Sequence, residues 1–551
     1  MNQWTKRFFW IDRKGVLAMG VMAAVLPSLL AIAGAVTLAC GGKLNILTTL
    51  LAMAGTAAAG WRFAGKEQRK RALACFGLLL LFVGLASWCV YDLSYDGQAY
   101  HQEAVIQLAG GWNPYGDAPL QEDTKNPPWV WINHYAKGPW LAAAAIYAAT
   151  GFIEMGKAIN LLALAASGLL SYIVLREKLS ARVSGIGAAL IAFNPVSLNQ
   201  VFTYGNDGLI SSLMIVLAAL LALAYWKSRA MLIPATLVVL LLVNIKFTAV
   251  GYAGLICALY VITLMLGRKK RVVPVVVLAL AGGVGLGVLG YNPYVTNWLD
   301  HGHPFHPLAG SEKVDIIRSN MLPAYVDLPV WEKTALSWFG ESSNRFGEYP
   351  RLKVPFAVLP SELAAMAGGD TRIGGFGPWF GGTLLLSAVL LAAGWRGMNR
   401  SAKRAFLLFM AGLLALIFVN PEPWWARYVP HAWLLPLAVW LWMMAGERLG
   451  SFGMRLRSML ILAITVNALL ATLPTVGYTA YQNTALRSEL GALRQQVQVS
   501  GEHAAIEVMY RNMASNRVRL EEAGIRTKVT TLDGCASQVV LTSSDTVYCK
   551  P

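Results

Sequence analysis

The chain has 551 residues, 56% of them hydrophobic and only 14% charged, with a net charge of +17. A soluble domain carries about 25% charged residues, so this composition excludes a water-soluble globular enzyme. The excess of Lys and Arg argues for no nucleic-acid partner either, because it falls between apolar runs in alternate connections instead of forming one basic patch.

Apolar runs recur from end to end. Each is long enough to cross a hydrocarbon core of ~30 Å as a helix, and the runs are continuous, not the short alternating segments of a β-barrel. The expected fold is an all-α polytopic membrane protein with thirteen spans, at 15–39, 45–62, 72–91, 157–175, 183–203, 208–226, 230–246, 249–267, 272–292, 377–395, 405–420, 430–446 and 458–477. The first stretch, Gly15 to Ala39, is too long for the apolar core of a cleavable signal and reads as a span.

Lys6, Arg7, Arg13 and Lys14 precede the first span, which places the N-terminus inside. The same alternation makes the connections around Lys66–Arg71, Arg176–Arg182, Lys227–Arg229, Arg268–Arg271, Arg396–Arg404 and Arg448–Arg457 internal. The inner side then holds 25 basic and 4 acidic residues, and the outer side 21 basic and 25 acidic. The asymmetry is an orientation signal of the kind found in a bacterial-type inner membrane, with a cytoplasmic N-terminus and a periplasmic C-terminus. Anionic lipid of the inner leaflet would reinforce it.

Two long segments, 92–156 and 293–376, and the tail from Tyr478 fall outside. Residues 1–477 form the membrane module, and 478–551 a small external C-terminal domain. Pro139 to Phe152 is apolar but short, and reads as a juxtamembrane helix in the outer interface. The tail segment 481–497 has Leu486, Leu490, Leu493 and Val497 at helical spacing. Cys40, Cys75, Cys89 and Cys257 lie in or beside spans, whereas Cys535 and Cys549 sit in the polar tail. Outside the cytoplasm thiols oxidise, so these two are expected to form a disulfide, two free thiols being the alternative.

Ionisable groups at membrane depth or at the mouth of a bundle are costly and mark functional candidates. Four places stand out, all on the outer side. In Tyr91 to Ala104, Asp96 follows the last apolar turn and precedes Gly97, with His101 and Glu103 close behind. Such a carboxylate can serve as general base on a hydroxyl, or Asp92 and Asp96 can simply solvate a helix end. In Thr203 to Ser212, Asp207 lies in a Gly-Asn-Asp-Gly turn, which an ordinary tight turn also explains. Lys246 is bracketed by apolar residues and reaches the outer end, either to hold a phosphate or to snorkel. Arg427 is the only Lys or Arg in its short outer loop, between Trp424-Trp425 and Tyr428. Its planar fork suits phosphate oxygens, and the aromatics would equally suit a membrane interface.

Two signals carry less. His301, His303 and His306 form a histidine-rich run, but Pro304 and Pro307 interrupt it and no second group in the sequence completes a tetrahedral set, so no metal is assigned. The glycines from Gly282 to Gly290 lie inside a span and fit close helix packing better than a phosphate cradle.

Taken in order, these places resemble the GT-C class of membrane glycosyltransferases, which includes protein O-mannosyltransferases, lipid A aminoarabinose transferases and dolichol-phosphate-sugar enzymes. The resemblance spans most of residues 72–440 and rests on Asp96 at a span exit, Gly111–Tyr115, His134–Trp140 before an apolar juxtamembrane helix, Asp207, the loop entrance Asn292–Pro307 and the pair Arg427-Tyr428. Two extra spans precede the first outer loop, and the paired acidic motif of the class is here Ser94-Tyr95-Asp96-Gly97, with Asp92 the alternative second acid.

The resemblance implies a sugar donor on a polyprenyl phosphate and a lipid-linked, glycan or protein acceptor. Asp96 and Asp207 would be catalytic. Lys246, Arg427, Tyr428, His101, His134 and Lys137 would bind substrate and phosphate. No cofactor follows with certainty from the resemblance; a divalent metal is an open alternative that is not favoured. The rival readings are a lipid-linked glycan ligase or polymerase, which would carry more arginines in the loop 293–376, and a transporter, which would show internal repeats.

Overall fold

Helix Arg13–Ala39 starts where Asp12 caps it, the Asp12 carboxylate accepting a hydrogen bond from the Gly15 N–H at 2.8 Å. The computed structural model describes residues 11–121, 127–270, 272–311, 313–345, 349–446, 449–499 and 505–550. Lys6, Arg7, Arg271 and Arg448, which enter the charge pattern above, lie outside the described residues.

The protein is mostly helical and polytopic. Among the described residues, eight helices are long and apolar enough to cross a membrane: Arg13–Ala39, Lys66–Cys89, Ile153–Leu175, Asp207–Trp226, Phe247–Leu266, Val272–Leu289, Arg400–Phe418 and Ser451–Val499. The other five expected spans correspond to helix Ile46–Phe63 and to four shorter apolar helices, Ala181–Ala192, Arg229–Leu242, Phe380–Trp395 and Pro430–Ala445. Each of the thirteen expected spans thus has an apolar helix at its place, eight of them, among the described residues, long and apolar enough to cross a membrane.

The shortening has local causes. The expected span 183–203 stops at Ala192 because Pro195 cannot continue the helix, and Asn194 caps a new short helix, Pro195–Asn199, accepting from the Ser197 N–H at 2.9 Å. The expected span 272–292 loosens into π-helical turns from Gly285, where the Asn244 side chain donates to the Gly285 carbonyl at 2.7 Å. A Cβ on Gly285 would lie 2.6 Å from Val243, so the glycine serves close helix packing.

Helix Arg13–Ala39 is the centre of the larger core. It packs on helices Ile46–Phe63, Ala158–Leu175 and Gly138–Thr150. Small residues let the backbones approach: a Cβ on Gly34 would meet the Leu141 carbonyl at 3.3 Å, and Ala142 to Ala145 are fully buried. Helix Gly138–Thr150, expected as a juxtamembrane helix, is thus enclosed by the bundle along its first half. Side chains such as Leu51, Leu81 and Phe82 face outward, as a lipid-facing surface requires. At one end of the bundle Glu177 pairs with Arg13 and with Lys227, each at 2.5 Å, joining three connections expected on the inner side.

Helix Ser451–Val499 has 49 residues, about 74 Å at the α-helical rise, far more than a bilayer needs. It runs unbroken through the expected domain boundary at 477/478, and its last turns carry the stripe Leu486, Leu490, Leu493 and Val497. That stripe is buried against a four-stranded sheet, a departure from the all-α expectation. The strands are β1 (Ile506–Met509), β2 (Thr527–Val529), β3 (Gln538–Val540) and β4 (Val547–Cys549), in the order β2-β1-β4-β3. β1 and β2 are parallel and joined by helix Asn516–Glu522, while β4 pairs antiparallel with both β1 and β3. A disulfide links Cys535, just before β3, to Cys549 at the end of β4, with Cα atoms 5.7 Å apart.

Buried ions seat this C-terminal unit on the bundle. The Arg519 guanidinium, 1% exposed, donates to Glu154 Oε1 at 2.9 Å, to the Asp92 carbonyl at 2.8 Å and to Gln98 Oε1 at 3.0 Å. Lys157 closes on the other Glu154 oxygen. Arg517 forks onto Glu103, with one contact at 2.9 Å.

Candidate functional site: an arginine shared by three carboxylates

Four separate stretches of chain end at one mouth of the bundle. Asp96 precedes the π-helical turn Gly97–His101. Asp207 is the first residue of helix Asp207–Trp226, where the helix dipole favours a carboxylate. Lys246 is the N-cap of helix Phe247–Leu266. Arg427 lies in the turn between Phe418 and Pro430, which Pro421 and Pro423 keep out of a helix.

Each placement is held by hydrogen bonds. Asn160 Nδ2 donates to the carbonyls of Thr203 at 2.8 Å and Gly205 at 3.1 Å, and Gln200 Oε1 accepts from the Gly208 N–H at 2.8 Å, which fixes the turn carrying Asp207. The Arg427 turn is anchored by Ser337 Oγ, which donates to the Trp424 carbonyl at 2.6 Å, and by Tyr252, which donates to the Tyr428 carbonyl at 2.5 Å. Trp424 and Trp425 are 0% and 2% exposed. They are packed inside the protein and are not interfacial anchors.

The Arg427 guanidinium uses all three nitrogens. Nε donates to Asp207 Oδ2 at 2.6 Å, Nη1 to Asp370 Oδ2 at 2.7 Å and Nη2 to Asp96 Oδ2 at 3.2 Å. Lys246 Nζ donates to the other Asp207 oxygen at 2.9 Å and lies 4.9 Å from the centre of the Tyr428 ring. The Asp207 carboxylate bridges Lys246 and Arg427, which offsets the repulsion between the two cations. Asp207 is buried beneath the two cations, whereas Asp96 and Asp370 are 35% and 37% exposed on the open side of Arg427.

Asp370 is absent from the residues singled out in the sequence. It accepts from Trp425 Nε1 at 3.0 Å as well as from Arg427, and so ties the long segment 293–376 to the site. The one available signal is its place in Gly368-Gly369-Asp370-Thr371-Arg372, a glycine-flanked acid shortly before an apolar run.

The other candidates sit differently. Asp92 is fully buried and accepts from the Ser94 N–H at 2.8 Å and the Tyr204 N–H at 2.7 Å, so it braces two loops and does not pair with Asp96. Burial, with Glu154 nearby, raises its carboxyl to about 6. His101 is buried, and its Nδ1 accepts from Trp140 Nε1 at 2.7 Å. Burial lowers its pKa to about 4, which keeps the ring neutral. Lys137 is 1% exposed and donates to the carbonyls of Asn133 at 2.7 Å and Tyr135 at 2.6 Å. His134 makes its hydrogen bond at 2.8 Å to Asn297. Its ring lies beside His301 and His306, which brings an imidazole from a distant segment to two members of the histidine run. His303 turns away, its Nδ1 accepting from the Phe305 N–H at 3.1 Å.

An apolar recess of about 330 Å³ opens between helices Leu232–Leu242, Phe247–Leu266 and Val272–Val284. Val250, one turn beyond Lys246, is part of its lining, with Ala253, Cys257, Leu278 and Leu286 further in.

No family model matches the sequence. No curated protein matches it either. Among solved structures the chain is similar to ArnT from Cupriavidus metallidurans bound to undecaprenyl phosphate, with 13% identity, a TM-score of 0.36, and 86% of this chain and 98% of that chain covered. A likeness of that degree establishes no activity.

Proposed function

We propose that this protein is a membrane glycosyltransferase that moves a sugar from a polyprenyl phosphate to an acceptor hydroxyl at the outer mouth of the bundle. The observation that carries the reading is the meeting of Arg427, Lys246, Asp96 and Asp207 at one site, from parts of the chain as far as 331 residues apart. Ionised groups gathered at the end of an apolar bundle are expensive to maintain unless they act on a charged or polar substrate.

Each group has a role in that reaction. Asp96, partly exposed and held through one oxygen by Arg427, removes the acceptor proton. The acceptor oxygen attacks the anomeric carbon, and the bond from that carbon to the phosphate oxygen breaks. The leaving lipid phosphate gains charge, and Lys246 and Arg427 stabilise it. Asp207 takes no proton. It fixes the two cations side by side, so they need no reorganisation when charge develops. Asp370 occupies the Arg427 nitrogen that the phosphate would use, and leaves when donor binds. The polyprenyl tail would lie in the recess beyond Val250.

The test is reconstitution with a synthetic polyprenyl-phosphate sugar, combined with mass spectrometry of co-purified lipids. The reading requires a transferred sugar and released polyprenyl phosphate. Co-purification of a polyprenyl pyrophosphate glycan, with no turnover of the monophosphate donor, would replace it by a ligase.

A further inference from the structure

Away from the carboxylate cluster, three imidazoles from two outer segments meet. His134 ends helix Pro127–His134, His301 ends helix Thr296–His301, and His306 follows in the next turn. One ligating nitrogen from each lies within 4.8 Å of the other two. Ring centroids are 4.9 Å apart for His134 and His301 and 4.8 Å for His134 and His306, and the His301 and His306 rings stack in parallel at 3.8 Å.

Asn297 organises the cluster. Its Nδ2 donates to the backbone carbonyl of His306 at 2.8 Å and to that of His134 at 3.3 Å. Two acceptors at Nδ2 fix the orientation of the amide, so Oδ1 is the atom facing His134 Nδ1 at 2.8 Å. Nδ1 must then carry the proton, which leaves the lone pair on Nε2. Metal-binding imidazoles are held in this way, one nitrogen donating to an oxygen so that the other points at the ion. Asn297 is itself 1% exposed, so the amide that orients the cluster is fixed, while His134 and His301 are half-buried and His306 is buried.

We infer that His134, His301 and His306 bind one divalent transition-metal ion, zinc by preference, which clips the loop after Asn297 onto the segment leading into helix Gly138–Thr150. Three imidazole nitrogens, the ligand atoms that the described residues bring together here, suit zinc and its neighbours better than magnesium or calcium, which prefer oxygen. Zinc bonds imidazole at about 2.0–2.1 Å, which places tetrahedral donors roughly 3.3 Å apart, so the cluster has to contract by about 1.5 Å at most. Side-chain rotation supplies that. Three protein ligands leave a fourth position for water. The inference is independent of the proposed transfer reaction, in which none of the three histidines takes a step.

The experiment uses the full-length protein in detergent, purified through a histidine-free tag, stripped with a chelator and titrated with zinc chloride against a chromogenic zinc indicator. Wild type should bind one equivalent, confirmed by elemental analysis, and zinc should raise its melting temperature. His306→Ala and His301→Gln should each weaken binding by roughly 100-fold or more and abolish the melting shift. His301→Gln changes the last residue of helix Thr296–His301 and leaves the half-buried His134 in place, so it reports on binding even if His134→Ala fails to fold. His303→Ala should bind as wild type does. X-ray absorption should show nitrogen and oxygen donors only. Failure of wild type to bind an equivalent of zinc, unchanged affinity in both His306→Ala and His301→Gln, or loss of binding in His303→Ala would overturn the assignment.

Discussion

Arg427 and Asp207 are 220 positions apart in the chain and 2.6 Å apart in space, and their contact closes the site. Asp207 also holds Lys246, so one carboxylate sets the position of both cations. A lysine at 427 would supply a single ammonium where three carboxylates now converge on a planar fork. Arg427→Lys is expected to lower transfer by roughly tenfold or more while the protein remains folded. Arg427→Ala leaves the carboxylates uncompensated, and should destabilise the protein by about 2 kcal/mol, a value reduced from the fully buried case because Asp96 and Asp370 are partly hydrated. Donor binding should weaken more than acceptor binding. Wild-type donor affinity in Arg427→Ala would remove the phosphate from this site.

Asp96→Asn keeps the shape of the side chain and its hydrogen bond to Arg427 Nη2, but loses the basic lone pair. The expected result is a fall in transfer of about 10²–10⁴-fold with expression and donor binding nearly unchanged. Undiminished turnover would move the base elsewhere. Asp207 would be a poor substitute, because both of its oxygens are engaged by cations.

Asp370 covers Arg427 from the open side, so in the proposed reaction it would compete with an incoming phosphate. Asp370→Ala should therefore tighten donor binding, by about a few-fold for one partly exposed ion pair. The same change frees Trp425 Nε1, which should loosen the segment 368–374 and slow turnover. Equilibrium binding of a non-hydrolysable donor separates the two effects. Weaker binding in Asp370→Ala would mean that the carboxylate supports the phosphate site and does not compete for it.

The legible part of this site is the part with apolar surroundings. Asp96, Asp207, Lys246 and Arg427 are conspicuous because they interrupt or end runs where any charge is costly. Asp370 has no such contrast, since the segment 293–376 is polar along much of its length. The long apolar helices were readable for the same reason. The span expected at 183–203 was drawn through Asn194-Pro195, although a proline preceded by a cap residue is itself a break signal. The C-terminal sheet escaped because its strands have only three or four residues, too few for an alternating pattern to register. The stripe from Leu486 to Val497 was visible, but not the sheet it covers. The meeting of His134 with His301 and His306 depends on tertiary approach, which no local pattern encodes.

The seat of the C-terminal unit depends on Arg519. Its guanidinium and the Glu154 carboxylate are 1% and 4% exposed, so removing one partner strands the other in a dry environment. Arg519→Met is expected to cost about 3–5 kcal/mol, lessened to the extent that Lys157 still holds Glu154. Limited proteolysis should then release the segment after 499. Adding Glu154→Gln should restore part of the loss, and a double-mutant cycle measures the coupling. Additive effects of the two changes would show that the pair does not couple the unit to the bundle.

The last prediction concerns His101. Burial holds this ring neutral, with its pKa lowered to about 4, while Nδ1 accepts from Trp140. In the unfolded chain a histidine titrates near 6.5. Between those values the unfolded state binds the extra proton, so stability rises with pH across this window and is lost as pH falls from about 6.5 toward 4. The full shift corresponds to about 3 kcal/mol as an upper bound. Asp92 acts in the opposite direction, because its raised carboxyl takes up a proton more readily in the folded state as pH falls through about 6. A single melting curve would mix the two. His101→Asn removes the titrating ring but retains an acceptor for Trp140, and leaves Asp92 untouched. The stability difference between wild type and His101→Asn should therefore shrink steadily as the pH of thermal unfolding is lowered from 7 to 5, and Asp92 cancels from the comparison. A difference that stays constant over that range would mean that His101 titrates in the folded protein as it does unfolded, and one that grows as the pH falls would mean that the folded ring is charged; either would return it to the candidates for substrate contact.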